Sequence, residues 1–94
     1  MSAPIVAQEL RVSAFIAELL VWLNARFAPD GPPILANTPL FKGGLITSLR
    51  ILELIAWTER ATGGEIPDAQ IRTDNFGSAE RMAALFAGGS DVER

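Results

Sequence analysis

Apolar residues fall on one broad stripe from Pro4 to Phe27, at Leu10, Ile16, Leu20, Leu23 and Phe27, widened by Val12, Phe15, Leu19 and Trp22. That spacing predicts a long amphipathic helix, with Pro4 in the first turn where its missing N–H costs nothing. The run Ala28-Pro29-Asp30-Gly31-Pro32-Pro33 ends it. No periodicity follows from Ala28 to Thr47, yet Ile34, Leu35, Leu40, Phe41, Leu45 and Ile46 are scattered through the stretch. Those side chains predict a long loop pinned to the domain, ordered and functional, since long structureless connections inside small domains usually serve a purpose.

A second helix is predicted over Ser48 to Arg60, with Thr47 as its N-cap and Gly63-Gly64 as its stop. Its apolar residues exceed what one buried face needs. Leu49, Leu52 and Ala56 share a side with Ile55 adjoining, while Ile51, Leu54 and Trp57 spread around the others. Leu52 and Leu54 are assigned to the core. Pro67 blocks resumption of the second helix, and Asp68 caps a short helix through Ala69-Gln70-Ile71-Arg72. Ser78 caps a final helix carrying Met82, Leu85 and Phe86, closed by Gly88-Gly89. Residues 90–94 are expected to form a flexible tail. With no strand alternation and no internal repeat, the expected fold is all-α. It is a single domain over residues 1–94, a small four-helix bundle of three longer helices and one short one, with a long ordered loop between the first two.

Composition removes most catalytic chemistry. Among 94 residues there is no cysteine and no histidine, so the chain lacks a thiol nucleophile, an imidazole base and thiolate or imidazole metal ligands. The acidic side chains lack the ligand spacing of a calcium loop, and no metal site is expected. Net charge is −3, and the cations are Lys42 and scattered arginines, which argues against nucleic-acid binding. The start of the chain lacks the basic and apolar pattern of a secretory leader. The longest apolar stretch, Val12 to Leu23, contains Glu18 and is too short to span a bilayer. A cytoplasmic, monomeric, non-enzymatic protein without a membrane span is expected.

Ser48 is the residue placed for chemistry. It opens a helix after a glycine-containing loop, where unpaired N–H groups and the helix dipole favour an attached or bound phosphate; serine is also simply a good helix-start residue. Phe41-Lys42-Gly43-Gly44 lacks the spacing of a phosphate-binding P-loop. Lys42 as a base for Ser48 would make a Ser–Lys hydrolase dyad, a weak third reading because a solvated lysine is protonated at neutral pH. Trp22 and Trp57 read as packing residues rather than a stacking platform.

Ser48-Leu49-x-x-x-Glu53-Leu54, Glu65-Ile66-Pro67-Asp68 and Asn75-Phe76-x-Ser78 together resemble the acyl and peptidyl (aminoacyl) carrier protein family, over about Leu40 to Phe86. The resemblance implies covalent 4′-phosphopantetheine on Ser48, with Thr47 capping the helix beside it. It implies a free-standing carrier that holds acyl or aminoacyl intermediates as thioesters. The implied partners are a phosphopantetheinyl transferase, an acyl- or aminoacyl-loading ligase or transacylase, and a downstream acyl-processing enzyme. The second helix would be the docking surface, through Leu49, Arg50, Ile51, Glu53 and Trp57. Two residues depart from the family pattern. Thr47 stands where an aspartate usually precedes the serine, and Arg50 places a cation in the first helical turn. Glu53 and Glu59 alternate with Arg50 and Arg60, so docking would rely less on negative charge and more on apolar contact through Ile51 or Trp57. The departures keep a second reading open, a carrier-like interaction module that is no longer phosphopantetheinylated.

Overall fold

The first helix, α1, runs over Ala3–Phe27 without a break in the computed structural model, which describes residues 3–87 and, in α1, side chains from residue 7 onward. Its 25 residues extend about 37 Å. Phe15, Leu19 and Leu23, spaced four apart, are its buried row. Leu10, placed on the same stripe by sequence, is instead 65% exposed, because it lies well around the helix from that row. The amide of Ala28 still donates to the Asn24 carbonyl at 3.1 Å, and the proline-rich run then carries the chain away.

The segment from residue 28 to residue 47 has no regular structure, and it is held at both ends and in the middle. Ile34, Leu40 and Ile46 are buried in the core, whereas Leu35 and Leu45 face outward. Asn24 clamps the loop from α1: its Oδ1 accepts from the Ile34 amide at 2.7 Å, and its Nδ2 donates to the Ile34 carbonyl at 3.1 Å. Farther along, the Glu80 amide donates to the Ala36 carbonyl at 2.9 Å and the Leu40 amide to the Gly77 carbonyl at 2.8 Å. These bonds tie the loop to the start of the last helix. Gly44 adopts a left-handed conformation with φ of 81°, which a side chain would strain, in the turn closed by its amide on the Phe41 carbonyl.

The second helix opens as a 3-10 turn over Ser48–Arg50 and continues as α2 over Ile51–Thr62. Leu54, Ile55 and Thr58 form its buried side, with Ile51 and Trp57 partly buried against the core. Leu54 is fully buried but Leu52 is 70% exposed, which corrects the core assignment of Leu52. Two residues along a helix turn the side chain roughly 200°, so only one of these leucines can face inward. Gly63 ends α2 in the left-handed region with φ of 80°, its amide on the Glu59 carbonyl, as expected of a C-terminal glycine.

The short helix expected over residues 69–72 is replaced by two 3-10 turns, Asp68–Gln70 and Thr73–Phe76. Between them the backbone leaves the helical region at Ile71 and is extended at Arg72, and the Ile71 side chain packs on the core. Asn75 holds the turns together by donating to the Gln70 carbonyl at 2.9 Å. The last helix, α3, spans Ala79–Met82 and widens into a π-helical segment, Ala83–Ala87. Ser78 caps it as the sequence indicated, its Oγ accepting from the Arg81 amide at 3.1 Å. The Gly88-Gly89 stop and the tail lie outside the described residues.

The described residues are all helical or irregular, with three helices, short 3-10 turns and no strand. One hydrophobic cluster joins α1, the loop, α2 and α3. At its edge Trp57 meets Phe15 edge-on with centroids 5.3 Å apart and stacks on Trp22 at 6.0 Å. Both tryptophans therefore pack the seam between α1 and α2. No helix among the described residues is long and apolar enough to cross a membrane.

Candidate functional site

Ser48 is exposed and is the first residue of the 3-10 turn that leads into α2. Thr47 before it has an extended backbone, with φ of −77° and ψ of 154°, as an N-cap residue should. Its side chain makes no capping hydrogen bond. The helix start is closed by backbone alone: the Arg50 amide donates to the Thr47 carbonyl at 2.9 Å, and the Ile51 amide donates to the Ser48 carbonyl. A 3-10 start brings the donor one residue nearer the carbonyl, so the turn closes without the threonine hydroxyl. Among the described residues nothing engages Ser48 Oγ. It is a free hydroxyl at the positive end of a helix.

The neighbouring charges are arranged differently from their order in sequence. Arg50 does not stand alone in the first turn, because its Nη1 lies 2.7 Å from Glu53 Oε2. Arg26, from the last turn of α1, grips the same carboxylate, with Nε 2.8 Å from Oε1 and Nη2 3.2 Å from Oε2. The hydrogen bond from Arg50, followed by that from Arg26, holds the Glu53 carboxyl below the usual glutamate value against the opposing effect of burial. One carboxylate thus shares two guanidiniums. Glu59 is also occupied, its Oε2 accepting from the buried Ile66 amide at 2.8 Å. Both acidic side chains of α2, Glu53 and Glu59, are in use as fasteners.

Of the expected docking residues, Leu49 is 87% exposed beside Ser48 and Arg50 is exposed. Ile51, Glu53 and Trp57 are half-buried. The outward apolar side is made by Leu49, Leu52 and Ala56, with Leu45 of the loop also exposed. Arg60, one turn beyond Ala56, extends the line and has no ion-pair partner among the described residues. Sequence reasoning did not single out Arg26 or Leu52 for this site. An outward apolar row along Leu49, Leu52 and Ala56 was the available signal for Leu52; a contact spanning 27 positions between Arg26 and Glu53 leaves none.

Lys42 is exposed on a shallow groove with Phe41, Asp74, Ser78 and Arg81, and Ser48 does not line that groove. No hydrogen bond joins Lys42 to Ser48 among the described residues. Two open clefts of about 400 Å³ and 390 Å³ lie at the other end of α2, around Thr62 and Phe86. Among the described residues, no three His, Cys, Asp or Glu side chains gather where they could hold a metal ion.

Comparison with family models, with curated proteins and with solved structures yields no match.

Proposed function

We propose that the chain is a free-standing cytoplasmic carrier protein that holds acyl or aminoacyl groups as thioesters on a 4′-phosphopantetheine arm at Ser48. The observation that supports this most is the state of Ser48: an exposed hydroxyl, unengaged by other side chains, at the start of a helix and beside outward leucines. The residues present fit the group. Ser48 Oγ would carry its phosphate, and the helix start offers the unpaired amides of Ser48 and Leu49 and the positive end of the dipole to that negative charge.

Attachment asks little of this chain. A serine that attacks substrate needs a base within its own protein, and among the described residues no side chain hydrogen-bonds to Ser48. A serine modified by another enzyme needs exposure and a fixed backbone, which the 3-10 turn at Ser48–Arg50 supplies. The bound arm supplies a terminal thiol, which a chain without cysteine does not have. Placement and recognition remain for the protein itself. Leu49 and Leu52 offer the contact surface, and the Arg26–Glu53–Arg50 cluster fixes the start of α2 against the end of α1. In this reading α1, α2, the paired 3-10 turns and α3 correspond to the family's three longer helices and one short one. The partners are a phosphopantetheinyl transferase, a loading ligase or transacylase, and a downstream acyl-processing enzyme.

The occupied carboxylates Glu53 and Glu59, together with Thr47, favour one alternative, an interaction module that keeps the docking face without the arm. Intact mass after incubation with coenzyme A and a panel of transferases separates the two. A phosphopantetheine increment in the wild type and none in Ser48→Ala is the carrier outcome. No increment with any transferase moves the interaction module to first place.

A further inference from the structure

The side of α2 that faces away from the core combines two unusual features. Leu49 and Leu52 are the two most exposed large apolar side chains on the second helix, one turn apart, and Ala56 extends the row to Arg60. The charges around that row lean positive although the whole chain is acidic at −3. Three guanidiniums, Arg26, Arg50 and Arg60, stand against two carboxylates there: Glu53, which Arg26 and Arg50 share, and Glu59, which accepts from the Ile66 amide and keeps its charge. The surplus of acidic residues lies elsewhere, on Glu9, Glu18, Asp30, Glu65, Asp68, Asp74 and Glu80 among others.

We propose that this face docks a protein partner whose apolar hollow is rimmed by carboxylates. The hollow takes Leu49 and Leu52, and the rim pairs with Arg50 and Arg60. The proposal deepens the carrier reading and rests on it for the partner's purpose, since Leu49 adjoins Ser48 and whatever acts on Ser48 must cover it. Charge complementarity selects this occupant. A second copy of the chain would bring the same arginine-flanked row against itself, with like charges opposed. A partner rimmed by lysines would meet three guanidiniums against two carboxylates, one of which Arg26 and Arg50 already share. Arg50 is held in place by Glu53, so it is presented to an incoming carboxylate with little further ordering.

Two synthetic helical peptides test the surface. Both carry the same leucine and phenylalanine face, one with a glutamate rim and one with a lysine rim. Titrated into the full chain and followed by amide shifts at Leu49, Leu52 and Ala56, the glutamate peptide should bind about tenfold tighter at low salt. The ratio should shrink towards unity as salt rises. Leu49→Ser should weaken both peptides, and Arg60→Glu, which breaks no hydrogen bond or ion pair among the described residues, should narrow the preference. Equal affinities, or a preference for the lysine peptide, overturn the proposal. So does tighter capture by phosphatidylglycerol vesicles than by either peptide, or self-association that Leu49→Ser abolishes. The peptides do not need the arm. A glutamate preference without modification of Ser48 therefore keeps the surface and rejects the carrier, and modification of Ser48 without that preference does the reverse.

Discussion

Leu52 and Leu54 stand two residues apart on the same helix and lead opposite lives. Leu54 is sealed in the core among side chains of α1, the loop and α3, and Leu52 is 70% exposed on the outer side. Every residue around the inner side is committed to packing or hydrogen bonding. Thr58, fully buried, donates its hydroxyl to the Leu54 carbonyl at 2.8 Å, and Trp57 is wedged between Phe15 and Trp22. The outer side keeps apolar groups in water at a free-energy cost that folding does not recover. What the difference teaches is that the apolar surplus of α2 splits cleanly into a half that builds the domain and a half that faces solvent.

The sharpest break of that comparison is a matched pair of truncations. Leu54→Ala should destabilise the fold by about 2–5 kcal/mol, the range for deleting a buried leucine side chain. Urea denaturation would show it as a lower midpoint with an unchanged slope. Next comes the clamp on the loop. Asn24→Ala strips the Ile34 amide and carbonyl of their partner, and should cost about 1–3 kcal/mol. Hydrogen exchange at the Ile34 amide should quicken more than exchange within α2.

A smaller effect concerns Glu53, and it is read against pH. Its folded carboxyl lies below the usual glutamate value, through the hydrogen bond from Arg50 first and that from Arg26 next. A depressed carboxyl contributes stability that is present above its unfolded pKa and lost as pH falls through the folded value. Wild type should thus exceed Glu53→Gln by a steady margin near neutrality, and the margin should close in acid below the ordinary glutamate range. Because the cluster is partly solvent-exposed, salt should shrink the margin as well. The smallest effect belongs to the other leucine. Leu52→Ala should shift stability by no more than about 0.5 kcal/mol. A large loss there would show that the outer row holds the fold together, and the division between the two sides of α2 would fall.

The local signals in the sequence carried most of the fold. Ser78, Gly63 and the proline run act through their immediate neighbours, so each end they mark is where the chain turns. Ile34, Leu40 and Ile46 made the loop read as pinned, and they are buried. What escaped was set by distant partners. A helical wheel with apolar residues on two sides does not say which side meets the core, so Leu52 was misplaced. Asn24 is one polar position in an apolar helix, and its clamp on Ile34 exists only once the loop returns. The short helix after Pro67 became two 3-10 turns because Ile71 packs inward and Asn75 bonds back to Gln70. At the site, the helix start at Ser48 was legible from the sequence, and the side chain is exposed there. The pairing of Arg50 with Glu53 was within reach of the i, i+3 spacing, but Arg26 arrives from another helix.

The central claim is that Ser48 receives chemistry the chain does not itself possess, and the lack of cysteine makes that claim directly measurable. After incubation with coenzyme A and a transferase, and removal of small molecules, thiol should be titrated on the unfolded chain. The expected result is about one thiol per chain in the wild type, as one arm on one serine requires, and none in Ser48→Ala. No thiol under any transferase, or a thiol that persists in Ser48→Ala, would contradict the account.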